Sequence, residues 1–200
     1  MHPGERPVSA STEHPELSRN LALIGGRGCG KSSVSKRLAR HNKHFTLFST
    51  DALIRYERGG RSIPEIVERE GWAGFRQLEF EVVERVAAFP GGALVDCGGG
   101  VVVDLDASGN EVFSERKVEA LRRSCAIVYL ERDPEYLRAK VEGDHNRPSL
   151  SDRESFLEIL ERRDPWYRAA AHHVLPSDGL SKPEITEAIL HWFYRQIGVA

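Results

Sequence analysis

Residues 21–32 read LALIGGRGCGKS, an apolar run of strand length followed by the spacing G-x-x-x-x-G-K-S. This spacing is typical of a phosphate-binding P-loop when it joins a strand to a helix, and both elements are predicted here. The glycines allow the backbone N–H groups to face an anion, and the helix beginning at Lys31 adds the positive end of its dipole. An ordinary glycine turn would not need four constrained positions in this context. We therefore expect the chain to bind a nucleoside triphosphate.

The chemistry of the side chains suggests how the loop is used. Lys31 is expected to reach the β and γ phosphates, and the Ser32 hydroxyl offers a hard oxygen to Mg²⁺. Cys29 occupies a free position of the loop and is interpreted as filler rather than as a nucleophile. The predicted nucleotide-binding residues of the loop are Gly28, Cys29, Gly30, Lys31, Ser32 and Ser33.

Strand-sized apolar runs alternate with amphipathic stretches along the rest of the chain. Strands are predicted at 21–25, 45–49, 93–97, 126–130 and 173–176, and helices at 31–41, 51–58, 63–70, 72–89, 114–123, 134–142, 151–163 and 182–197. This alternation indicates an α/β fold of three layers, α/β/α, with a five-stranded parallel sheet covered on both faces. Residues 101–113 interrupt it and predict a small hairpin insertion, to which we assign no chemistry.

Composition limits the functional classes. The 200 residues carry 28 Lys and Arg against 30 Asp and Glu, a net charge of −2, which argues against a global polyanion partner such as duplex DNA. The apolar runs are too short to span a bilayer, and three cysteines without C-x-x-C spacing indicate neither a disulfide framework nor a zinc site. We expect a cytoplasmic protein without nucleic-acid or membrane partners, in which residues 1–20 form a disordered extension and 21–200 form one domain.

Further motifs follow the P-loop in a fixed order. They read STDALI at 49–54, GGRSIPEI at 59–66, GWAGFRQLE at 71–79, DCGGG at 96–100, RPSL at 147–150 and RDPWYR at 163–168. In this order the motifs resemble the shikimate kinase family, from about residue 21 to residue 175. The resemblance implies a P-loop NTPase fold with sheet order 2-3-1-4-5, a substrate-binding region near 51–80 and a lid near 143–152. It also implies an enzyme that uses ATP and Mg²⁺ to phosphorylate the 3-hydroxyl of shikimate. We expect the protein to be a monomer.

The same resemblance implies roles for individual acceptor-site residues. Asp51 would hydrogen-bond to the shikimate hydroxyls and act as, or near, the general base. Arg76 and Arg168 would hold the substrate carboxylate, and Glu79 would orient Arg76. The chemistry agrees, because a guanidinium offers a carboxylate two parallel donors and an aspartate can accept a hydroxyl proton. The triple glycine would bring backbone against the ring, at Gly98, Gly99 and Gly100.

Two basic residues complete the implied nucleotide site. Arg147 would close over the phosphates as part of the lid, which makes it a predicted catalytic residue together with Lys31 and Asp51. Lys140 falls where the family often has a basic residue that stacks on adenine. Taken singly, each of these residues has an ordinary structural explanation; Asp51, for example, could cap the helix that follows it.

One position departs from the family pattern. Members commonly show D-x-D at the end of the second strand, where this chain has Ser49 in place of the first acid. They often have serine or threonine two residues before the triple glycine, where this chain has Asp96. Since an acid that ends an apolar strand beside a P-loop is suited to Mg²⁺, we predict Ser32 and Asp96 as the metal residues. A strand cap is the alternative for Asp96.

Two other functions stay open from the sequence. A kinase for another small polyol acid, such as gluconate, would share the P-loop. A nucleotide-binding regulator that has lost catalysis is favoured by Ser49 but opposed by the retention of Asp51, Arg76 and Arg168.

Overall fold

The computed structural model describes residues 17–141 and 155–198. Its strands are β1 (Asn20–Ile24), β2 (Thr46–Ser49), β3 (Ala93–Asp96), β4 (Val103–Leu105), β5 (Glu111–Phe113), β6 (Cys125–Glu131) and β7 (His173–Pro176). Its helices are α1 (Lys31–His41), α2 (Thr50–Glu57), α3 (Ile63–Ala87), α4 (Glu115–Ser124), α5 (Pro134–Val141), α6 (Phe156–Ala170) and α7 (Lys182–Gln196).

Five strands form one parallel sheet in the order β2-β3-β1-β6-β7. The predicted fold class is confirmed: the order corresponds to 2-3-1-4-5, with β4 and β5 paired separately as an antiparallel hairpin. Central β1 is buried along its whole length, as expected for a strand covered on both faces. Its alternate side chains enter two apolar cores, Ala22 and Ile24 on one face and Leu21 and Leu23 on the other.

The helices predicted at 63–70 and 72–89 meet as a single element, α3. Gly71 lies between them with φ 69° and ψ 171°, a backbone conformation that glycine adopts readily and that bends the helix there. The start of α3 is fixed by a capping box between Ser62 and Glu65. This element carries both Arg76 and Glu79 into the protein interior.

Helix α6 differs more from the prediction of 151–163. It begins after a capping box at Ser155 and continues through Pro165 to Ala170. Proline disfavours a helix interior, but the buried positions continue past it, so tertiary packing outweighs the local preference. The buried residues of α6 are Ile159, Leu160, Arg163, Tyr167 and Ala170.

The extension predicted for residues 1–20 is too long, because residues 17–20 belong to the folded domain. Leu17 is buried in an apolar core. The Asn20 amide donates to the Phe89 carbonyl at 2.8 Å and accepts from the Ala93 N–H at 2.9 Å, which fastens the start of β1. The rest of the predicted extension and the predicted lid at 143–152 lie outside the described residues. Within the part of the chain that is described, no helix is long and apolar enough to cross a membrane.

Candidate active site

A cleft of about 770 Å³ opens where the carboxyl ends of β1, β2 and β3 meet. Ligands commonly bind at this edge of a parallel sheet, because the loops that follow the strands converge there. The residues predicted for the site that line the cleft are Gly28, Gly30, Lys31, Ser32, Ser33, Asp51, Arg76, Glu79, Asp96, Gly99, Gly100 and Lys140.

The P-loop forms one end of the cleft, directly before α1. Gly30 is the N-cap of α1 with φ 102°, and its carbonyl accepts from the N–H groups of Ser33 and Val34 at 3.0 Å. The Lys31 ammonium donates to the carbonyls of Gly25 at 2.7 Å and Gly26 at 3.1 Å. Burial disfavours this charge, but the surrounding groups, including Cys29 and Asp96, outweigh it and raise the pKa of Lys31. The loop therefore presents a charged lysine.

Cys29 is placed differently from the other loop residues. Its side chain is buried in the apolar core beneath the loop and does not line the cleft. Only its backbone could contact a phosphate, which agrees with its interpretation as filler. All three cysteines are buried and free.

Ser49 and Asp96 end neighbouring strands and are paired across the sheet, Ser49 on β2 beside Asp96 on β3. Asp96 is buried, and both side chains line the cleft together with Ser32. The exchanged serine and acid of the sequence therefore lie side by side at the predicted metal position. Over residues 17–141 and 155–198 there is no cluster of three or more His, Cys, Asp or Glu side chains suited to a metal.

Asp51 lies in the first turn of α2 and lines the cleft. The helix begins at Thr50 with Ser49 as its N-cap, so Asp51 is not the capping residue that its sequence position allowed. The Gly98 N–H donates to the Thr50 hydroxyl at 2.8 Å. A Cβ at Gly98 would lie 2.5 Å from an Asp51 carboxylate oxygen and 3.1 Å from one of Glu79. Gly98 therefore allows two acidic side chains to approach the backbone after β3, although it does not itself line the cleft.

A cluster of buried charges lies where Arg76 and Glu79 line the cleft, a region that we call the acceptor end after the role that the resemblance implies. The Arg76 guanidinium lies 3.1 Å from the Glu79 carboxylate, and the Lys117 ammonium of α4 lies 2.7 Å from the same carboxylate. All three side chains are at most 4% exposed. Burial would raise the pKa of Glu79, but Lys117 and Arg76 outweigh it and lower that pKa, so Glu79 is ionised. Glu79 is therefore in contact with Arg76, and it also compensates a lysine that the sequence analysis did not select.

The turn after β3 leaves space for the Arg76 side chain because it is made of glycines. A Cβ at Gly100 would lie 2.0 Å from an Arg76 guanidinium nitrogen. The Tyr167 hydroxyl donates to the Gly99 carbonyl, and its ring stacks on Tyr129 with 5.1 Å between centroids. These contacts hold the triple glycine against the acceptor end of the cleft.

The predicted position of Arg168 in the cleft is wrong. Its side chain is 47% exposed and pairs with Asp164, at 2.7 Å, and with Glu131. Arg163 lines the cleft instead and is 3% exposed. The reason is helical geometry, because Ile159, Arg163 and Tyr167 follow at four-residue spacing on the buried face of α6, whereas Arg168 is one residue past that face.

The hairpin, to which the sequence analysis assigned no chemistry, contacts two arginines that line the cleft. Glu111 of β5 binds Arg163, with 2.9 Å between the carboxylate and the guanidinium Nε, and its carboxylate lies 3.8 Å from Arg76. Sequence reasoning missed Arg163, Lys117 and Glu111. Lys117 was detectable as a lysine on the apolar face of α4 beside Val118 and Leu121, whereas a single glutamate on a three-residue strand gives no such signal.

Two predictions for the nucleotide site remain, Lys140 and Arg147. Lys140 lines the cleft with its ammonium 5.3 Å from the Tyr136 ring centroid. Arg147 lies outside the described residues.

Comparisons with known proteins place this cleft in a family. The family model "Shikimate kinase" matches residues 27–194. The chain is 48% identical to the shikimate kinase of Leptospira biflexa, over 86% of this chain and 94% of that one, and 40% identical to that of Leptospira borgpetersenii, over 88% and 98%. The structure is similar to that of shikimate kinase from Acinetobacter baumannii in complex with shikimate, with a TM-score of 0.75 and 27% identity over 90% of this chain and 96% of that one. The chain belongs to the shikimate kinase family.

Proposed function

We propose that the protein transfers the γ-phosphoryl group of ATP to the 3-hydroxyl of shikimate. The observation that carries the proposal is one cleft with a P-loop at one end and two buried arginines, Arg76 and Arg163, at the other. A P-loop alone serves many reactions, but buried guanidinium groups facing a cleft are suited to a carboxylate on the second substrate. A protein that only binds nucleotide has no use for that second site.

The residues divide between the two substrates. Lys31 and the N–H groups of residues 28–33 bind the phosphates, with Lys140 near the base and Arg147 supplied by the lid. Arg76 and Arg163 bind the carboxylate, so that Arg163 takes the role predicted for Arg168. Asp51 orients the attacking hydroxyl and accepts its proton. Gly99 and Gly100 provide backbone against which the ring lies.

The donor set also fits Mg²⁺. Ser32 and Asp96 line the cleft and offer a hydroxyl and a carboxylate oxygen, the ligand types that this ion prefers. We propose that Asp96 fulfils the role of the acid that Ser49 replaces. When bound, the ion neutralises charge on the phosphates. Binding of Mn²⁺ in the presence of ADP, followed by electron paramagnetic resonance, tests this assignment without turnover. Asp96→Asn should weaken Mn²⁺ binding about tenfold or more, and weakening by Ser49→Ala alone would place the ion at β2 instead.

An assay that couples ADP release to a signal, run with shikimate, gluconate or no acceptor, tests the function. We expect release that depends on shikimate and on Mg²⁺. Faster release with gluconate would assign a kinase for another polyol acid. Nucleotide binding without release for either acceptor would assign a regulator.

We further propose that the protein acts as a monomer in the cytoplasm. The residues proposed to bind both substrates belong to one chain, and the free cysteines suit a reducing compartment. Sedimentation of the active protein at micromolar concentration tests the monomer.

A further inference from the structure

The hairpin of β4 and β5 is fastened to the domain by a carboxylate that stays outside the cleft. Asp104 of β4 accepts from the Arg116 guanidinium at 2.7 and 2.8 Å and from the Ser114 hydroxyl at 2.8 Å. Arg116 also donates to Gln77 of α3 at 2.7 Å. The hairpin is therefore held at a fixed place beside α3 and α4.

The second strand of the hairpin sends a carboxylate to the arginines of the cleft. Glu111 accepts from Arg163 through Nε, at 2.9 Å, and through a terminal nitrogen, so that two donors on one edge of the guanidinium are engaged. It also accepts from Arg162 at 2.9 Å and lies 3.8 Å from Arg76. A two-point contact of this kind fixes the plane of a guanidinium as well as its position.

The charge on Glu111 is maintained by these partners. Burial would raise the pKa of its carboxyl group, but Arg163, Arg162 and Arg76 outweigh burial and lower that pKa. Glu111 is therefore an anion at neutral pH, with only 15% of its side chain exposed.

The charges at this end of the cleft nearly cancel. Four are positive, on Arg76, Arg162, Arg163 and Lys117, and three are negative, on Asp51, Glu79 and Glu111. The single excess positive charge matches an acceptor with one carboxylate. Without Glu111 the excess would double, and Arg163 would be a buried guanidinium without its carboxylate partner, which is costly.

We propose that Glu111 is a positioning residue of the acceptor site: it fixes the Arg163 guanidinium for the substrate carboxylate and leaves the site with one excess positive charge. This inference rests on the proposed function, because it concerns how the same arginines bind shikimate. The hairpin is then a functional part of the acceptor site.

The test compares two substitutions on the hairpin. Glu111→Gln preserves size and removes the charge beside Arg163. Asp104→Asn removes an equally close carboxylate–arginine pair from the same hairpin and touches no arginine of the cleft. We expect Glu111→Gln to raise the KM for shikimate about tenfold, which corresponds to about 1.4 kcal/mol, with the KM for ATP changed less than twofold. Asp104→Asn should leave both KM values within about twofold.

Binding without turnover provides the second measurement. Trp72 lines the cleft and lies 5.2 Å from the Arg76 guanidinium, so its fluorescence should report shikimate binding. The Kd for shikimate should rise with the KM in Glu111→Gln. Glu111→Asp, which retains the charge on a shorter side chain, should fall between the wild type and Glu111→Gln and serves if the glutamine variant does not fold.

Three results would overturn the proposal. One is a folded Glu111→Gln variant with the wild-type KM and Kd for shikimate. Another is an equal rise in Asp104→Asn, which would assign the effect to hairpin docking in general. In both cases the wild type still phosphorylates shikimate, so the proposed function stands. If the wild type neither binds nor phosphorylates shikimate, the proposed function fails first and this inference fails with it.

Discussion

The two ends of the cleft are built by different means. The nucleotide end is built mainly from the backbone of one continuous segment, and even the Lys31 side chain binds a carbonyl only six positions away. The acceptor end is built from side chains of α3, α4, α6 and the hairpin. Its contacts join residues 38 positions apart, Glu79 to Lys117, and 52 positions apart, Glu111 to Arg163. A continuous backbone site can be identified from one motif, whereas a site assembled from distant side chains depends on the whole fold.

The largest expected effect tests whether the acceptor end depends on buried charge. Glu79→Gln removes the carboxylate shared by Arg76 and Lys117 and leaves two buried cations without it. We expect the free energy of unfolding to fall by about 3–5 kcal/mol, measured by urea denaturation.

The control lies on the same helix. Glu70 pairs with Arg58 at 2.7 Å, but both side chains are about one-third exposed. Glu70→Gln should cost less than about 1 kcal/mol. Equal losses of unfolding free energy in the two variants would mean that the buried charges of the acceptor end contribute no more to stability than an exposed ion pair.

A second prediction distinguishes the roles of Arg163 and Arg168, which both belong to α6. Arg163→Lys retains a positive charge but loses the planar pair of donors, so kcat/KM for shikimate should fall about 10- to 100-fold, the range of a charge-assisted hydrogen bond. Arg168→Lys alters only an exposed pair and should change kcat/KM less than twofold. Steady-state rates at varied shikimate measure both. A larger loss in Arg168→Lys would reverse the assignment.

A third prediction uses one glycine from each end of the cleft. Gly30 has φ 102° and nothing within 4 Å of a Cβ, so alanine there meets backbone strain alone. Gly100→Ala meets the Arg76 side chain at 2.0 Å. Gly30→Ala should raise the KM for ATP about tenfold and Gly100→Ala the KM for shikimate about tenfold, each with little change in the other constant. If both KM values rise together in either variant, the ends are not independent.

The smallest expected effect is on how the free energy of unfolding depends on pH. The folded protein lowers the pKa of Glu111 below its usual value of 4.5. As the pH falls below that value the unfolded chain takes up the proton first, so the stability that Glu111 contributes is complete above pH 4.5 and is lost toward lower pH. Glu111→Gln lacks this contribution at every pH.

The free energies of unfolding of wild type and Glu111→Gln should therefore differ most above pH 4.5, for example at pH 6, and approach each other as the pH falls below 4.5. Urea denaturation at several pH values measures the difference. A constant difference would show that the Glu111 carboxylate is not the source of the stabilisation.

Prediction from the sequence succeeded where a feature is encoded within one continuous segment of the chain. The P-loop and the parallel sheet were predicted, because the strands are apolar runs and the loop is a contiguous motif, whereas the order of the strands followed from the family resemblance. The resemblance pointed to Arg76 and Glu79, which lie in contact because they share one turn of α3. Prediction failed for Arg168, because the predicted end of α6 at residue 163 concealed which face each arginine occupies. It gave no role to Glu111, since its partners on α3 and α6 become visible only in three dimensions.

The long separation between the partners at the acceptor end has a consequence for folding. Closing a loop of 38 or 52 residues costs chain entropy before any contact forms, whereas the P-loop closes within a few residues. Contacts that are distant in sequence tend to slow folding. The acceptor end can therefore form only once α3, α4, α6 and the hairpin have come together.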